Sequence, residues 1–395
     1  MRPLAMTAFC IASSLGAGQE PTLSALRRGT SGLMPCRFET VDLLTHIGEV
    51  RGLDDWRLDG ELVRFDCRNN RLAGLALEQD GFKAAVEAAK QRYGAIRIGV
   101  FLGTSTSGIL QTEQAYRRRD AAGRLPPELD YAATQSTFSI ADFVMTLLGV
   151  GGPAFVVSSA CASTTKVFAT AARMIETGMC DAAIVGGADS LCLTTLYGFN
   201  ALQLLSPGPC RPFDAARDGL SIGEAAGFAL LERPEQAAAG TLHVLGVGES
   251  SDAHHMSTPN PDGAGAALSM SRALAASGLR PEQIDYINLH GTATRVGDAA
   301  EDHAVVSLFG EAMPCSSTKG HTGHTLGASG IIEVIIAALS ITHGLLPGSP
   351  HTRTRDPQLR CRYVTAARPA RIDRVLTNSF GFGGSNASLI LGTAG

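Results

Sequence analysis

Residues 156–166 read VVSSACASTTK, and this stretch decides how the chain is interpreted. A short apolar run ends in small residues at Cys161, and an amphipathic pattern follows over residues 167–176. The pattern predicts a strand that gives way to a helix at the cysteine, so that the sulfur faces the amide N–H groups of the first helical turn. Such amides favour the thiolate, which is the reactive form of cysteine. Cys161 is therefore the candidate nucleophile.

Two histidines far along the chain are candidates to act together with Cys161. His290 opens the segment HGTATRVGD at residues 290–298, and His324 closes the segment STKGHTGH at residues 317–324. Glycine-rich segments of this kind suit loops that deliver a side chain to a cleft. A cysteine nucleophile with two histidines is the leading interpretation.

The composition fits a large enzyme and argues against several other classes. A chain of 395 residues with 45% hydrophobic content can bury a core larger than one simple domain usually holds. The net charge of -4 gives no electrostatic case for a nucleic-acid partner. Nine cysteines without a Cys-x-x-Cys pair favour free thiols, so a cytoplasmic location is expected.

The start of the chain allows two interpretations. Residues 4–12 form an apolar run after a single arginine, which could be a short signal peptide or a first core strand. We prefer the strand, because Thr7 interrupts the run and a strand-to-helix turn pattern follows it. No apolar stretch reaches the roughly 20 residues needed to span a bilayer, since Glu333 and His343 interrupt residues 331–346. We therefore expect no membrane span.

Apolar runs of strand length alternate with helical patterns along the chain, which predicts an α/β protein with mostly buried strands. The predicted strands are residues 96–102, 154–157, 182–185, 227–231, 284–289, 374–376 and 387–391. A polar connection at residues 233–240 is the predicted seam between two halves, 1–235 and 236–395. The first half holds Cys161 and the second holds both histidines, so we expect the chemistry where the halves meet.

Six segments of the chain resemble the β-ketoacyl-acyl carrier protein synthases, the condensing enzymes of fatty acid and polyketide assembly. In the family's order they are SACAST (159–164), RPFDAARDG (211–219), SDAHHMSTP (251–259), HGTATRVGD (290–298), STKGHTGH (317–324) and NSFGFGGSN (378–386). The resemblance covers nearly the whole chain. It implies a thiolase-like fold, in which two similar halves form a layered αβαβα arrangement, and it implies an acyltransferase that condenses acyl groups.

The resemblance also implies a two-stage decarboxylative Claisen condensation. Cys161 would take an acyl group from the phosphopantetheine arm of an acyl carrier protein. A malonyl thioester would then lose carbon dioxide, and His290 and His324 would stabilise the charge on its oxygen. Lys319 resembles the family's active-site lysine and Glu333 resembles its charge partner. Lys319 would favour the thiolate and help keep both imidazoles neutral.

Further roles follow from the same matching. The backbone N–H groups of Cys161 and Phe382 would form an oxyanion hole. Phe382 resembles the family's gating phenylalanine, with Phe380 beside it, and Thr292 and Thr294 would bind the pantetheine arm. The resemblance implies no metal and no cofactor other than the phosphopantetheine of the carrier.

The implied partners are a carrier protein and a second synthase-like subunit. Because carrier proteins of this kind are acidic, a local basic patch is expected on this acidic chain. Arg64, Arg68 and Arg71 resemble the family's docking helix, and residues 117–119 are the second candidate. Residues 154–158 are too apolar for an exposed edge and are expected to pair with a second copy, so a homodimer is expected, with the partner's residues 132–143 setting chain length. A heterodimer with a homologous subunit is the alternative.

Two rival functions belong to other classes. His290, His321 and His324 could be ligands of a zinc hydrolase, but their spacing lacks the helical geometry of familiar zinc sites and leaves Cys161 unexplained. A non-catalytic partner of the chain-length-factor type would resemble this sequence throughout, but such partners replace the nucleophile. The short loop at residues 204–213 and the unusual residues 7–14 differ from synthases of fatty acid synthesis, and they suggest a polyketide or aryl polyene product.

Overall fold

The computed structural model describes residues 1–393, and its backbone is organised around one large sheet. The strands are β1 (Leu4–Ser13), β2 (Gly16–Ala17), β3 (Met34–Pro35), β4 (His46–Gly48), β5 (Ile98–Gly103), β6 (Ala154–Val157), β7 (Ala182–Asp189), β8 (Ile222–Gly223), β9 (Ala225–Glu232), β10 (Leu242–Ser251), β11 (Tyr286–Asn288), β12 (Pro314–Ser316), β13 (Leu345–Leu346), β14 (Arg362–Tyr363), β15 (Arg368–Pro369), β16 (Arg374–Gly381) and β17 (Ser385–Thr393). The helices are α1 (Gln19–Arg28), α2 (Arg68–Leu77), α3 (Phe82–Tyr93), α4 (Ile109–Arg117), α5 (Ser139–Leu148), α6 (Ser163–Glu176), α7 (Leu193–Ala201), α8 (Ala264–Ser277), α9 (Arg295–Phe309), α10 (Lys319–Thr322) and α11 (Ser329–His343). Each predicted strand overlaps an observed one, and the first apolar run is strand β1.

The strand order repeats within the chain. The first part runs β6-β5-β7-β9-β1 and the second runs β12-β11-β16-β17-β10. In each part the first three strands pair in parallel. The fourth strand pairs antiparallel with both the third and the fifth. A short ladder between β1 and β10 joins the two parts into a single sheet. The predicted seam lies between β9 and β10, and a domain boundary at residues 235 and 236 stays a prediction.

Helices and sheet form five layers, as expected for the thiolase-like fold. Helices α6 and α11 lie in the middle, where Phe168 and Ile335 pack against strands of both parts. Helices α2, α3 and α5 cover the outer face of the first part. Helices α8 and α9 cover the outer face of the second part. Because α6 follows Cys161 and α11 follows His324, the central layer brings the catalytic candidates together.

The most apolar helix of the chain belongs to this middle layer. The stretch Leu326–His343 is long and apolar enough to cross a membrane, but 89% of it is buried inside the fold. A helix covered by sheet on both sides needs apolar residues all around, so its burial accounts for its composition.

Candidate functional site

Cys161 occupies a tight turn between β6 and α6. Ala160, directly before it, has φ of 47°, a left-handed conformation that is strained for a residue with a side chain. Ser163 stabilises this turn, because its Oγ accepts the Ser159 N–H at 2.8 Å and donates to the Ala160 carbonyl at 2.6 Å. The predicted strand-to-helix change at Cys161 is therefore observed.

Strand β16 ends against this turn. A Cβ at Gly381 would lie 3.2 Å from the Cys161 nitrogen and 3.0 Å from the Ser159 carbonyl oxygen, so glycine permits the close approach. The backbone N–H of the next residue, Phe382, acts to lower the pKa of the Cys161 thiol. This places the two amides of the predicted oxyanion hole beside the nucleophile.

His324 contacts the nucleophile directly. Its Nε2 lies 2.9 Å from Cys161 Sγ, and its Nδ1 lies 2.9 Å from Ser329 Oγ. A hydroxyl can donate or accept, so Ser329 supports either tautomer of the neutral imidazole. The backbone N–H of His324 donates to the Ser221 carbonyl at 2.7 Å, which connects the loop that carries His324 to the segment before β8.

His290 is held from behind by a lysine. Lys319 Nζ lies 3.3 Å from His290 Nδ1 and forms a buried ion pair with Glu333. An ammonium group only donates, so Nδ1 must accept and the ring proton must sit on Nε2 as a hydrogen-bond donor. The rings of His290 and His324 are 5.3 Å apart between centroids and nearly perpendicular, at 87°. The side chains that form one buried cluster are thus those of Cys161, His290, Lys319, His324 and Glu333.

Two buried carboxylates that sequence reasoning missed support this cluster. Glu301 accepts the N–H groups of His290 and Gly291, both at 2.8 Å. Asp189 accepts the Ser105 N–H at 2.7 Å and also the Gly327 N–H, which connects the end of β5 to the loop after His324. A charged residue on the buried face of an amphipathic helix was the available signal for Glu301. No comparable signal marked Asp189.

The chemical state of the nucleophile differs from the expectation. Burial raises the pKa of the Cys161 thiol to about 12, although the Lys319 charge and the Phe382 N–H act in the opposite direction. Desolvation of the thiolate therefore outweighs the amides that were expected to favour it. The sulfur is therefore a thiol at neutral pH, and His324 Nε2 is placed to accept its proton.

The two histidines are neutral for the same reason. Burial lowers the pKa of His290 and of His324 well below the ordinary value, and the Lys319 charge lowers both further. Burial also raises the pKa of the Glu333 carboxyl, to about 7, against the effect of Lys319. Neutral imidazoles can accept a proton from the thiol and can donate hydrogen bonds, which is what both stages of a condensation require.

The raised thiol pKa predicts how alkylation depends on pH. Because only the thiolate reacts, the rate of Cys161 alkylation by iodoacetamide should increase about tenfold per pH unit between pH 7 and pH 10. Mass spectrometry of the peptide that contains Cys161 measures this rate, and Cys161→Ala protein gives the background from the other cysteines. A plateau below pH 8 would contradict the assignment, because it would show a thiolate already formed.

A cavity of about 370 Å³ leads to this cluster. Cys161, His290 and His324 line it, and so do Thr292 and Thr294, whose hydroxyl oxygens are 3.0 Å apart. Both predicted pantetheine contacts therefore lie in the cavity wall.

The two predicted gate residues also line the cavity. Phe382 stacks on Phe199 with centroids 5.4 Å apart, and Phe380 lies 5.7 Å from the His290 ring. Phe199 is a further lining residue that the sequence reasoning missed.

The remaining motifs support the cavity walls. Asp298 accepts the N–H groups of Phe213 and Ala293, at 2.8 and 3.1 Å, which fastens the RPFDAARDG segment to the loop after His290. Asp252, in SDAHHMSTP, donates its N–H to the Gly384 carbonyl at 2.9 Å. These segments hold the loops that carry the reacting groups.

The structure contradicts the assignment of Arg68 to carrier docking. Its side chain is only 4% exposed and makes two hydrogen bonds to Glu224, at 2.8 and 2.7 Å, and one to Asp54 at 2.6 Å. Arg68 is thus a buried link between α2 and the segment before β9. A charge reversal there would break a buried network and would say nothing about docking.

The other predicted docking residues do not form a free basic patch. Arg71 is paired with Asp66 through two hydrogen bonds, at 2.5 and 2.6 Å. Arg64 is exposed, with its guanidinium 4.4 Å from the Phe65 ring. Residues 117–119 are exposed at the end of α4, where Arg118 pairs with Glu128 at 2.5 Å. Carrier docking at Arg64, Arg71 and residues 117–119 stays a prediction.

The three histidines of the zinc interpretation do not meet, because His321 lies apart from His290 and His324. His321 faces two backbone carbonyls, those of Thr30 and Gly348, at 2.7 and 3.3 Å. The ligand atoms of Cys161, His290 and His324 do lie within 4.8 Å of one another. However, the Lys319 ammonium directly behind His290 opposes a cation at that point.

Comparisons with known proteins agree with this geometry. Residues 70–237 match the family model described as "Beta-ketoacyl synthase, N-terminal domain", and residues 242–353 match "Beta-ketoacyl synthase, C-terminal domain". A similar protein is 3-oxoacyl-[acyl-carrier-protein] synthase 2 of Vibrio cholerae, which is 33% identical over 98% of each chain.

Two solved structures are similar over the full length. The ketosynthase ApeO in complex with its chain length factor ApeC, from Xenorhabdus doucetiae, has a TM-score of 0.91 and 37% identity, covering 100% of this chain and 98% of that one. The ishigamide ketosynthase/chain length factor also has a TM-score of 0.91, with 31% identity and full coverage of both chains.

The chain belongs to the β-ketoacyl synthase family. Its activity is that of a β-ketoacyl-acyl carrier protein synthase, an acyltransferase that condenses acyl groups. The family, the fold and the reaction class expected from the six motifs are confirmed.

Proposed function

We propose that Cys161, His290, His324 and Lys319 catalyse a decarboxylative Claisen condensation between an acyl group and a malonyl thioester, both delivered by an acyl carrier protein. One observation carries this proposal. The Cys161 sulfur contacts His324 Nε2 at 2.9 Å, beside a His290 ring that Lys319 orients, at the base of the cavity.

In the first stage, Cys161 Sγ attacks the carbonyl carbon of the acyl thioester while its proton passes to His324 Nε2. The bond between the acyl carbon and the pantetheine sulfur breaks, and the leaving sulfur takes the proton from His324. The charge on the carbonyl oxygen is stabilised by the N–H groups of Cys161 and Phe382. The acyl group is then stored on the enzyme as a thioester.

In the second stage, the malonyl carboxylate leaves as carbon dioxide and its electron pair forms an enolate. His290 Nε2–H donates a hydrogen bond to the enolate oxygen, and His324 donates a second one in the tautomer that carries its proton on Nε2, with Nδ1 accepting from the Ser329 hydroxyl. The enolate carbon attacks the stored acyl group, the bond to Cys161 breaks, and the sulfur leaves as a thiolate that takes up one proton from solvent. The balance closes without a metal or redox group, so we propose no cofactor beyond the phosphopantetheine of the carrier.

The proposal is tested with hexanoyl and malonyl carrier proteins. Mixing the protein with the hexanoyl carrier alone should add a hexanoyl group to Cys161, and adding the malonyl carrier should release 3-oxooctanoyl carrier and carbon dioxide. Intact-protein mass spectrometry measures the hexanoyl enzyme and the 3-oxooctanoyl carrier. Acyl transfer to a different residue, or release of free hexanoate without condensation, would contradict the mechanism.

We also propose two partners, an acyl carrier protein and a second subunit. The proposal is supported by the names of similar proteins and by the surface of this chain. The similar protein from Vibrio cholerae is named for acyl carrier protein, and both similar structures are described with a chain length factor. In this chain, β6 lies at one edge of the large sheet, and Phe155 on it is 50% exposed. We propose that β6 pairs with the same strand of a second subunit, and that this subunit is a homologue of the chain-length-factor type. The homodimer stays a prediction.

Replacing Phe155 by Asp should break this pairing, because a charge in an apolar strand interface is strongly disfavoured. Light scattering should show wild-type protein as a dimer, either alone or with a co-expressed homologue, and Phe155→Asp protein as a monomer. Leu44→Asp, at a residue 84% exposed outside the sheet edge, is the control and should leave the dimer intact. A wild-type monomer that condenses at full rate would rule out the proposed pairing.

The pathway and the compartment complete the proposal. A specialised product such as a polyketide or aryl polyene is supported by the similarity to ketosynthases that are described with chain length factors. A cytoplasmic location is supported by nine cysteines that are all free.

A further inference from the structure

Arg295 stands out among the charged side chains that line the catalytic cavity. The others are Asp218, Asp252 and Glu301, so the lining carries three acids and one permanent cation. Arg295 is exposed, and it forms no ion pair with any residue of the described chain, 1–393. No carboxylate within residues 1–393 therefore neutralises the positive charge of Arg295 in the cavity lining.

The three acids of the lining are already engaged. Asp218 accepts from Arg211 Nη2 at 2.9 Å, and Asp252 accepts from Asn386 Nδ2 at 2.7 Å. Glu301 accepts the two backbone N–H groups described above. None of these carboxylates needs Arg295 as a partner.

The main chain at Arg295 is fixed although its side chain is exposed. Arg217 Nη2 donates to the Arg295 carbonyl at 3.2 Å, and Arg217 Nη1 is bonded to Asp356 at 2.5 Å. The charges of Arg217 and, more weakly, Arg295 lower the pKa of Asp356, but this carboxylate is already paired with Arg217. The Arg295 main chain is thus held in place, while its guanidinium carries no ion pair within residues 1–393.

One short segment leads from the reacting groups to this position. His290 and Thr292 are buried, Thr294 is half-buried and Arg295 is exposed, so exposure increases along the segment from the cavity base to its mouth. A phosphopantetheine arm has a matching order of groups: a thioester at the reacting end, two amides along its length, and a phosphate at the outer end. Threonine hydroxyls suit amides, and a guanidinium suits a phosphate.

We propose that Arg295 binds the phosphate of the phosphopantetheine arm and so sets how far the arm enters the cavity. This inference rests on the proposed function, because it assumes substrates carried on that arm. It also accounts for the recognition of carried substrates by a chain in which Arg68 is buried and Arg71 is paired.

The test compares two thioesters that differ only in the phosphate, hexanoyl-pantetheine and hexanoyl-4′-phosphopantetheine. The half-saturating concentration of each for acylation of Cys161 is measured by mass spectrometry. Wild-type protein should require about tenfold less of the phosphorylated compound, since hydrogen bonds to charged groups are the stronger class. Arg295→Ala should reduce this ratio to about one, and Arg295→Lys should restore part of it because the charge remains.

Arg353→Ala is the matched control, because Arg353 is exposed and lies outside the cavity lining formed by residues 1–393. This variant should keep the wild-type ratio. Equal use of both thioesters by wild-type protein, or an unchanged ratio in Arg295→Ala, overturns the inference and leaves the proposed function standing. A loss in Arg295→Ala that is confined to carrier-bound hexanoate also overturns it, since Arg295 would then contact the carrier's carboxylates. If wild-type Cys161 is acylated by no thioester, the proposed function fails instead.

Discussion

Cys161→Ala protein should accept no acyl group and should form no condensation product, because the substitution removes the sulfur at the base of the cavity. The same variant should still decarboxylate a malonyl thioester, since His290, His324 and Lys319 remain in place. Mass spectrometry of the protein and release of labelled carbon dioxide measure the two steps separately. Condensation at the wild-type rate would end the assignment of Cys161 as nucleophile.

Cys180→Ala is the control for this experiment. Cys180 is buried in the central core and lies outside the cavity lining described for residues 1–393, so its replacement should leave acylation unchanged within about twofold. Removing a buried sulfur costs some stability, so the comparison is made below the unfolding transition of each protein. Loss of acylation in both variants would point to damage of the fold rather than to loss of the nucleophile.

Replacing the two histidines should separate the two stages. His290→Ala removes a donor to the enolate oxygen and should slow malonyl decarboxylation by about 100- to 1000-fold. It should leave acylation of Cys161 within a few-fold of wild type, because the His290 ring is not the one that contacts the sulfur. His324→Ala should slow both stages, because its Nε2 takes the thiol proton and also faces the enolate.

His343→Ala is the histidine control, because His343 is exposed at the end of α11 and should affect neither stage. Single-turnover acylation and carbon dioxide release measure the four proteins side by side. If His290→Ala slowed acylation as much as His324→Ala did, the separate roles derived from the two geometries would be wrong.

Sequence patterns predicted the part of this site that depends on local structure. A strand that gives way to a helix at Cys161 follows from a short apolar run, small residues and an amphipathic period, and each of these acts over a few residues. The positions of His290, Lys319 and His324 came from motifs, since a motif records which residue types a site needs. The sequence placed Cys161 in the first half and both histidines in the second, and this predicted a site where the two halves meet.

The structure excludes Arg68 from the docking prediction for a reason that local pattern cannot reveal. Arg68, Arg64 and Arg71 look alike in the sequence, as arginines near the start of a helix. Only the fold places the Glu224 carboxylate against Arg68, from a segment 156 residues away. Burial with an opposite charge turned a predicted surface residue into an internal link.

The sequence by itself determined the elements, the family and the identity of the reacting groups, because these depend on the order of residues along the chain. The tertiary structure decided the charge states and the contacts. It made the Cys161 thiol neutral through burial, gave His324 the Ser329 hydroxyl as a partner, and left Arg295 as the cation of the cavity lining without an ion pair within residues 1–393. These properties depend on which distant segments exclude water from a group and which bring charge to it, and both are set only when the layers pack together.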